Sequence, residues 1–285
     1  MSDHTRRRPW ITGALLVVLL IVGLVVRNQV KVYLNRQRRA EEAAAIARNA
    51  RNRQALFDML QPIALANCEL ERFGEAHDGG YLLCANLLDG VEAGYSYGIA
   101  GYDKWGCDVS TRLNVTLHQY DCFNTQQPRC PAGDTVFHAE CIGPAPKTEE
   151  ERPFDTLQNQ FAKNGDAKRR VVVKMDVEGA EWESLLHAPD ETLERIDQLA
   201  IEFHFTDEER YVRTVRRLKE FFYVAHLHFN NHACDPRLMP FPSWAYEVLL
   251  VNRRLGRVDP TGQAPRGLHS LDAPNNPTEA DCQVP

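Results

Sequence analysis

The sequence lacks several features that would indicate particular classes of protein. It has no Cys-x-x-Cys pair, which argues against a zinc knuckle, and it has no internal repeat. Residues 61–285 also lack a surplus of positive charge, with 22 Lys and Arg against 35 Asp and Glu, a net charge of −13. Because nucleic-acid binding needs a basic surface to displace counterions, no nucleic-acid partner is expected. With 44% hydrophobic and 25% charged residues, the 285-residue chain is not intrinsically disordered.

One uninterrupted apolar run follows a short basic N-terminal tail, residues 1–9. The run, residues 10–26, reads WITGALLVVLLIVGLVV and is at the short end of the roughly 17–25 residues that span a bilayer. No small-residue cleavage site follows it, which favours an uncleaved signal-anchor over a removed signal peptide. We therefore predict a single-pass membrane protein. Arginines flank both sides of the run, so the positive-inside rule leaves its orientation open.

Composition divides the rest of the chain into three segments. Residues 27–60 contain no Gly or Pro and are rich in Ala, Arg and Glu, which favours a helical stalk. Residues 255–285 hold five prolines and no sustained apolar periodicity, which is typical of an irregular tail. The working domain is therefore expected over residues 61–254.

Cysteine usage bears on the compartment. All eight cysteines follow the apolar run, and an even number in a membrane-tethered domain suits an oxidising, lumenal or extracytoplasmic compartment. Buried free thiols are the alternative, and the sequence leaves the pairing open. The cysteines are Cys68, Cys84, Cys107, Cys122, Cys130, Cys141, Cys234 and Cys282.

Within the working domain, strand-like and helix-like patterns alternate. The sharpest strand is RVVVKMDV, a run of the kind buried on both faces of a parallel sheet. The alternation predicts an α/β fold with a doubly wound, Rossmann-like sheet, whose ligand lies beyond the carboxyl ends of the strands. We expect strands at Val91–Ile99, Thr116–Asp121, Asp134–Ile142, Arg170–Val177, Leu199–Phe205, Val224–Phe229 and Ala245–Val251, and helices at Asp103–Asn114, around Trp182–Leu186 and at Asp207–Phe222.

Two stretches combine residues that suit a ligand site. The first strand ends in Tyr97-Gly98-Ile99-Ala100-Gly101, and Asp121 ends the next strand 23 residues after Gly98. A glycine turn lets the backbone approach a ligand, and an acid about 20 residues later can accept hydrogen bonds from ribose hydroxyls. The second stretch is KMDVEGAEW, residues 174–182, where acids follow a buried strand. Such carboxylates meet a ligand, a metal or a helix N-terminus, and simple helix capping by Glu178 or Glu181 is the plainer interpretation.

Histidines and carboxylates share faces of two later strands. Glu202 and His204 lie on one face because side chains alternate with period two, and so do His226 and His228. A base for a hydroxyl works best with a pKa near the working pH, which makes His204 the best candidate. Alternatively, these four residues and Asp176 hold a divalent cation, although the favoured interpretation includes no metal.

At these residues the chain resembles a known family. KMDVEGAEWESLL is similar to the signature of the FkbM-type class I S-adenosylmethionine-dependent methyltransferases, and the stretches DGGYLLC and YSYGIAGYDKWGCDVS resemble its methyltransferase-like branch. The resemblance covers roughly residues 65–252. The chain departs from the family at the usual Gly-x-Gly-x-Gly turn, which here reads Gly98-Ile99-Ala100-Gly101.

The resemblance implies a cofactor site and a reaction centre. S-adenosyl-L-methionine is the expected cofactor, and the cofactor-binding residues would be Tyr97, Gly98, Gly101, Asp121, Glu140, Cys141 and Asp176. In that arrangement Asp121 would bind the ribose, and Glu140 and Cys141 would lie near the adenine. The catalytic residues would be Asp176, Glu178, Glu202 and His204.

These observations lead to one principal hypothesis and two alternatives. The principal one is a membrane-anchored methyltransferase that methylates an oxygen of a small or glycan-like acceptor. The first alternative is a metal-dependent type II membrane glycosyltransferase that uses Asp176 and Glu178 as its metal-binding acids. The second is a non-catalytic α/β binding domain.

Overall fold

The computed structural model describes residues 9–262 and 267–283, so most of the predicted basic tail lies outside the described residues. The chain divides into two compact units, residues 1–50 and 51–285. A helix, α1, runs over Pro9–Met59 and includes the residues of the predicted anchor and nearly all of the stalk. The side chains of residues 9–16 and 18 are not described; in the described part of the chain, no helix is both long and apolar enough to cross a membrane. The anchor at residues 10–26 and the single-pass location therefore stay predictions.

The second unit contains all of the strands in the described residues. They are β1 (Leu70–Gly74), β2 (Gly80–Cys84), β3 (Ala93–Tyr97), β4 (Thr116–Tyr120), β5 (Asp134–His138), β6 (Cys141–Ile142), β7 (Lys147–Glu149), β8 (Arg152–Asp155), β9 (Val171–Met175), β10 (Ile196–His204), β11 (Phe222–Phe229) and β12 (Ala245–Asn252). The helices between them are α2 (Lys104–Leu113), α3 (Leu157–Lys163), α4 (Glu181–Leu186), α5 (Asp190–Arg195) and α6 (Glu209–Phe221).

A mixed seven-stranded sheet forms the centre of this unit. Its order is β11-β12-β10-β9-β3-β4-β5, and only β12 runs antiparallel to its neighbours. The five consecutive parallel strands, numbered along the chain, therefore stand in the order third, second, first, fourth, fifth. The direction of progression across the sheet reverses between β3 and β9. The predicted α/β class is confirmed.

Both faces of the sheet are buried, because successive side chains of a strand point to opposite faces. On β9, Val171, Val173 and Met175 belong to one core cluster and Val172 belongs to the other. The first cluster includes Trp182 of α4 together with residues of α3 and α6, while the second contains residues of α2 and of the β1–β2 hairpin. Burial on both sides explains why four of the five residues of β9, VVVKM, are apolar.

The polar residues at the ends of α2 define its limits. The side chain of Asp103 accepts a hydrogen bond from the backbone N–H of Gly106 at 2.8 Å, which caps the helix N-terminus. Asn114 closes the other end in the left-handed conformation, with φ of 54°. The predicted helix Asp103–Asn114 therefore agrees with the structure once its two capping residues are removed.

One predicted strand is wrong in its extent. The expected strand Asp134–Ile142 splits into β5 and β6, which belong to different sheets. β5 pairs with β4 as far as His138, opposite Tyr120, where β4 ends. Beyond that point the chain has no neighbour in the large sheet, and β6 pairs with β8 in a separate three-stranded sheet.

All eight cysteines are paired, in the bonds Cys68–Cys84, Cys107–Cys130, Cys122–Cys141 and Cys234–Cys282. The first joins the segment before β1 to the end of β2, and the second joins α2 to the loop before β5. The last ties the C-terminal segment to the loop that follows β11. The alternative of buried free thiols is therefore wrong for this structure.

Candidate active site

A cavity of about 310 Å³ opens at the carboxyl ends of β3, β4 and β9. It lies where the strand order reverses, which is the position at which open α/β sheets bind ligands. The cavity is in the size range of small-molecule sites. Seven of the residues predicted from the sequence line it: Tyr97, Gly98, Asp121, Glu140, Cys141, Asp176 and Glu178. Gly101, Glu202 and His204 are not among the residues that line it.

The turn after β3 requires glycine at its first position. Gly98 has a φ of +71°, and a Cβ there would overlap the backbone carbonyl oxygen of Asp176. The backbone of β3 thus passes so close to the end of β9 that no side chain fits between them. Ala100 also adopts a positive φ, of 47°. At Gly101, whose φ is +80°, a Cβ would crowd the side-chain amide of Asn124, so this glycine serves the turn without reaching the cavity.

Asp121 fastens this turn. Its Oδ2 accepts hydrogen bonds from the backbone N–H groups of Ile99 and Ala100, at 3.1 and 2.8 Å. Its Oδ1 accepts from Phe123 and Asn124, both at 2.9 Å. A carboxylate has about four lone-pair sites, and four backbone donors fill them here. In this conformation Asp121 positions the loops around the cavity, and its predicted contact with a ribose stays a prediction.

Glu140 and Cys141 form the far wall of the cavity. Glu140 Oε1 accepts a hydrogen bond from Lys163 at 2.7 Å, so the carboxylate is held from the α3 side. Lys163 also binds Asp155, at 2.8 Å. Cys141 has no free thiol, because it forms a disulfide with Cys122, which lines the cavity as well. No sequence pattern indicated this pairing, since the two cysteines are 19 residues apart, with Cys141 on β6 and Cys122 in the loop after β4.

Two tyrosines form an aromatic wall. The rings of Tyr97 and Tyr120 stack with their centroids 4.9 Å apart. The hydroxyl of Tyr120 accepts a hydrogen bond from Asn164 at 2.7 Å, whereas the fully buried hydroxyl of Tyr97 has no partner among the described residues. Burial raises the pKa of Tyr97, so this hydroxyl stays protonated. A buried polar group without a partner is rare and points to a ligand or a water in this position.

A cluster of carboxylates and one histidine lies beside the cavity. Asp176 follows β9, while Glu202 and His204 share one face of β10, and their ligand atoms lie within 4.8 Å of one another. His204 Nε2 is 3.5 Å from Glu202 Oε1 and 3.9 Å from Asp176 Oδ1. The same nitrogen is 3.5 Å from Glu178 Oε2. The structure therefore brings together all four residues predicted as catalytic.

His204 is oriented by a residue that sequence analysis assigned only to helix capping. Glu181, which is fully buried, accepts hydrogen bonds from the backbone N–H of His204 at 2.8 Å and from that of Gly179 at 2.8 Å. The same carboxylate lies 3.2 Å from His204 Nδ1. Burial alone lowers the pKa of His204, but the hydrogen bond with Glu181 and the nearby carboxylates outweigh it and raise the pKa. Whether His204 acts as a base stays a prediction.

Glu202 is the most deeply buried carboxylate of the predicted set. Only 7% of its side chain is exposed, and Asn230 donates a hydrogen bond to its Oε1 at 3.2 Å. Burial, followed by the charges of Asp176 and Glu247, raises the pKa of Glu202 well above its usual value. Asn230 follows β11, and no sequence pattern marked it as part of the site.

Two further residues reach Asp176, and sequence analysis assigned a role to neither. Lys174 lies on the same face of β9 as Asp176, two residues before it, and its ammonium is 3.4 Å from Asp176 Oδ2. The same ammonium donates a hydrogen bond to the carbonyl of Gly98 at 2.7 Å. Tyr81 of β2 donates a hydrogen bond to Asp176 Oδ2 at 3.3 Å. Two sequence features pointed to these residues: the period-two alternation in Lys174-Met175-Asp176, and the motif DGGYLLC, which contains Tyr81.

His226 and His228 do not join this cluster. They lie on β11, which is separated from β10 by β12. His226 Nε2 lies 2.9 Å from Asp272, and His228 lies 3.4 Å from both Glu247 and Asp281. The five-residue cation set considered from the sequence is therefore wrong, because strand order divides it into two groups.

Comparison of the chain with protein-family models, with curated proteins and with solved structures found no match.

Proposed function

We propose that this protein is an S-adenosylmethionine-dependent methyltransferase that methylates an oxygen of a small or glycan-like acceptor. The observation that carries the proposal is the cavity at the carboxyl ends of β3, β4 and β9, lined by seven residues that the family resemblance implied. The order of the five parallel strands supports it, since doubly wound nucleotide-binding sheets have the order 3-2-1-4-5 and bind their ligand at the reversal.

The residues of the cavity fit the proposed cofactor in two respects. The Gly98 turn leaves room that a Cβ would fill, as close passage of a ligand along the backbone requires. The buried Tyr97 hydroxyl has no protein partner in the described residues, and a polar group of a ligand that reaches it would satisfy it. Tyr97, Gly98, Glu140 and Asp176 would hold the cofactor, which when bound supplies an activated methyl group on a positively charged sulfur.

The chain's own residues would supply charge and proton transfer. Asp176, at the mouth of the cavity, contributes negative charge that favours a cationic donor. Methylation of a hydroxyl also requires loss of its proton. Glu178 is 81% exposed, lines the cavity and lies 3.5 Å from His204, so its carboxylate is the acceptor nearest to solvent. Holding both reactants in line accounts for most of the rate enhancement expected of such a reaction.

The disulfides favour a compartment for this activity. Structural disulfides persist in oxidising compartments and are rare in the cytosol. With four disulfides, the domain is proposed to work in a lumenal or extracytoplasmic space. The membrane anchor remains a sequence prediction, as do the glycosyltransferase and the non-catalytic binding domain.

Calorimetric titration of the full chain with S-adenosylmethionine and with its demethylated product tests the proposal. We expect micromolar binding that Tyr97→Phe weakens by about three- to tenfold, the equivalent of one lost hydrogen bond. Tyr95→Phe is the matched control, because that hydroxyl binds Asp166 at 2.7 Å and Tyr95 does not line the cavity. The control should lose stability and keep its affinity. No heat with either ligand from a folded chain would reject the proposal, and sugar nucleotides with Mn²⁺ would be titrated next.

A further inference from the structure

Three carboxylates lie around His204, and two of them are buried. Glu181 and Glu202 have side chains that are 0% and 7% exposed, and Asp176 adds a third carboxylate. Lys174 is the only Lys or Arg that forms an ion pair with any of these three carboxylates in the described residues, and it faces Asp176 Oδ2. Buried carboxylates are costly unless a cation compensates them.

Glu202 has the least compensation of the three. Its only hydrogen-bond donor in the described part of the chain is the amide of Asn230, which binds Oε1. Its second oxygen receives no hydrogen bond from the described residues. A buried carboxylate with one neutral donor needs a positive partner, and either an imidazolium at His204, whose Nε2 lies 3.5 Å away, or a bound cation would meet that need.

His204 is oriented as metal-ligating histidines are. Its Nδ1 lies 3.2 Å from the buried Glu181 carboxylate, which holds the ring and accepts a hydrogen bond when Nδ1 carries the proton. In that tautomer Nε2 presents a lone pair toward Asp176 and Glu202. A carboxylate that supports the non-ligating nitrogen is the usual outer partner of a histidine ligand.

We propose that Asp176, Glu202 and His204 form a divalent cation site at the edge of the cavity. Their ligand atoms, two carboxylate oxygens and one imidazole nitrogen, lie within 4.8 Å of one another and suit Mn²⁺, Mg²⁺ or Zn²⁺. Three protein ligands leave coordination positions for water or for a ligand, as catalytic metal sites do.

The role of the ion rests on the proposed function, although its binding does not. Asp176 belongs both to the cation site and to the cavity wall, so a bound ion would lie next to the proposed methyl donor. A divalent ion held there would bind the hydroxyl oxygen of the acceptor and lower its pKa, and the hydroxyl proton would leave toward the exposed Glu178. The acceptor class that fits is one with a hydroxyl and a neighbouring oxygen donor, such as a vicinal diol.

The test is a titration of the full chain with Mn²⁺ in the absence of S-adenosylmethionine, followed by electron paramagnetic resonance. We expect about one tightly bound ion per chain, with pulsed spectra that show a directly bound imidazole nitrogen. His204→Gln should remove that nitrogen signal, and Glu202→Gln should weaken binding by at least tenfold. Asp176→Asn, at a carboxylate that is 28% exposed, provides a variant with less risk to folding. Glu209→Gln, an exposed carboxylate at the start of α6, is the matched control and should bind as the wild type does.

Two results would overturn the proposal. One is the absence of Mn²⁺ binding by a folded wild-type chain, in which case an imidazolium at His204 is the compensating cation. The other is Mn²⁺ binding that shows no imidazole nitrogen signal and is the same in the Asp176 variant as in the wild type. That result would mean that exposed carboxylates alone attract the ion. Since cofactor binding is measured separately, failure of the cation site and failure of the methyltransferase proposal are distinguishable.

Discussion

The backbone of Gly98 packs directly against the backbone carbonyl oxygen of Asp176, and the two residues directly follow the adjacent parallel strands β3 and β9. This contact brings the turn after β3 and the acidic segment after β9 to one cavity. Because a Cβ at Gly98 would overlap that carbonyl, any side chain there must separate the two strand ends.

Gly98→Ala should therefore damage the cavity. We expect a loss of stability of about 1–3 kcal/mol, from the positive φ and the displaced carbonyl, and at least tenfold weaker binding of S-adenosylmethionine. Thermal unfolding and calorimetry measure the two effects. Gly143→Ala is the control, because a Cβ added there would lie 3.5 Å from the ring of Phe154, which is an ordinary van der Waals distance. Equal affinity of the Gly98 variant and the wild type would contradict this interpretation.

Asp121→Asn should loosen the loops around the cavity. Its carboxylate accepts four backbone hydrogen bonds, and an amide replaces one acceptor oxygen with a donor. We expect a loss of about 1–3 kcal/mol and faster hydrogen exchange at the amides of Ile99 and Ala100. Asp259→Asn, in an exposed turn that ends at Gly262, should leave those amides protected. Unchanged exchange in the Asp121 variant would show that the turn holds without this carboxylate.

Removing the disulfide in the cavity wall should lower both stability and ligand affinity, whereas removing a distant disulfide should lower stability alone. Replacing Cys122 and Cys141 by serine should cost about 3 kcal/mol and weaken binding of the cavity ligand, because both residues line the cavity. Replacing Cys68 and Cys84 should cost a similar amount without changing affinity, since neither lines it. Denaturant unfolding and calorimetry on both double variants check this. Equal affinity losses would indicate general destabilisation instead.

The C-terminal segment should be held most firmly between mildly acidic and neutral pH. Burial lowers the pKa of His228, but its hydrogen bond with Glu247 and the charges of Glu247, Asp272 and Asp281 outweigh burial and raise it. The stabilisation is therefore complete below the unfolded pKa of about 6.5 and is lost as pH rises through the higher folded-state pKa. Burial raises the pKa of Asp272, but the neighbouring His226 outweighs it and lowers the pKa. That contribution is present above about pH 3.9 and is lost as pH falls through the lower folded-state pKa.

Hydrogen exchange of residues 267–283 across this pH range measures the effect. His228→Gln should remove the loss of protection on the alkaline side and leave the acidic side in place. His187→Gln is the control, because that histidine is exposed, directly follows α4 and contacts Glu183 of that helix. An alkaline loss that persists in the His228 variant would assign it to another group.

Local patterns predicted the elements around the cavity well. The β-branched run of β9 and the alternation in β10 marked two buried strands, and period two correctly grouped Glu202 with His204. Any strand that is buried on both faces shows such an apolar run, whichever strands lie next to it. The same rule grouped His226 with His228, and these two histidines do lie on one strand, but that strand does not reach the candidate site.

The sequence by itself determined the α/β class, the acidic ends of the strands and the glycine turn, because each depends on periodicity or on backbone conformation within a few residues. Only the tertiary structure decided which of those ends meet. The strand order placed β12 between His226 and His204, and folding paired Cys122 with Cys141 and brought Glu181 to His204 and Lys174 to the carbonyl of Gly98. These contacts join residues on different elements, and their free energy depends on burial and charge that exist only once the sheet has formed.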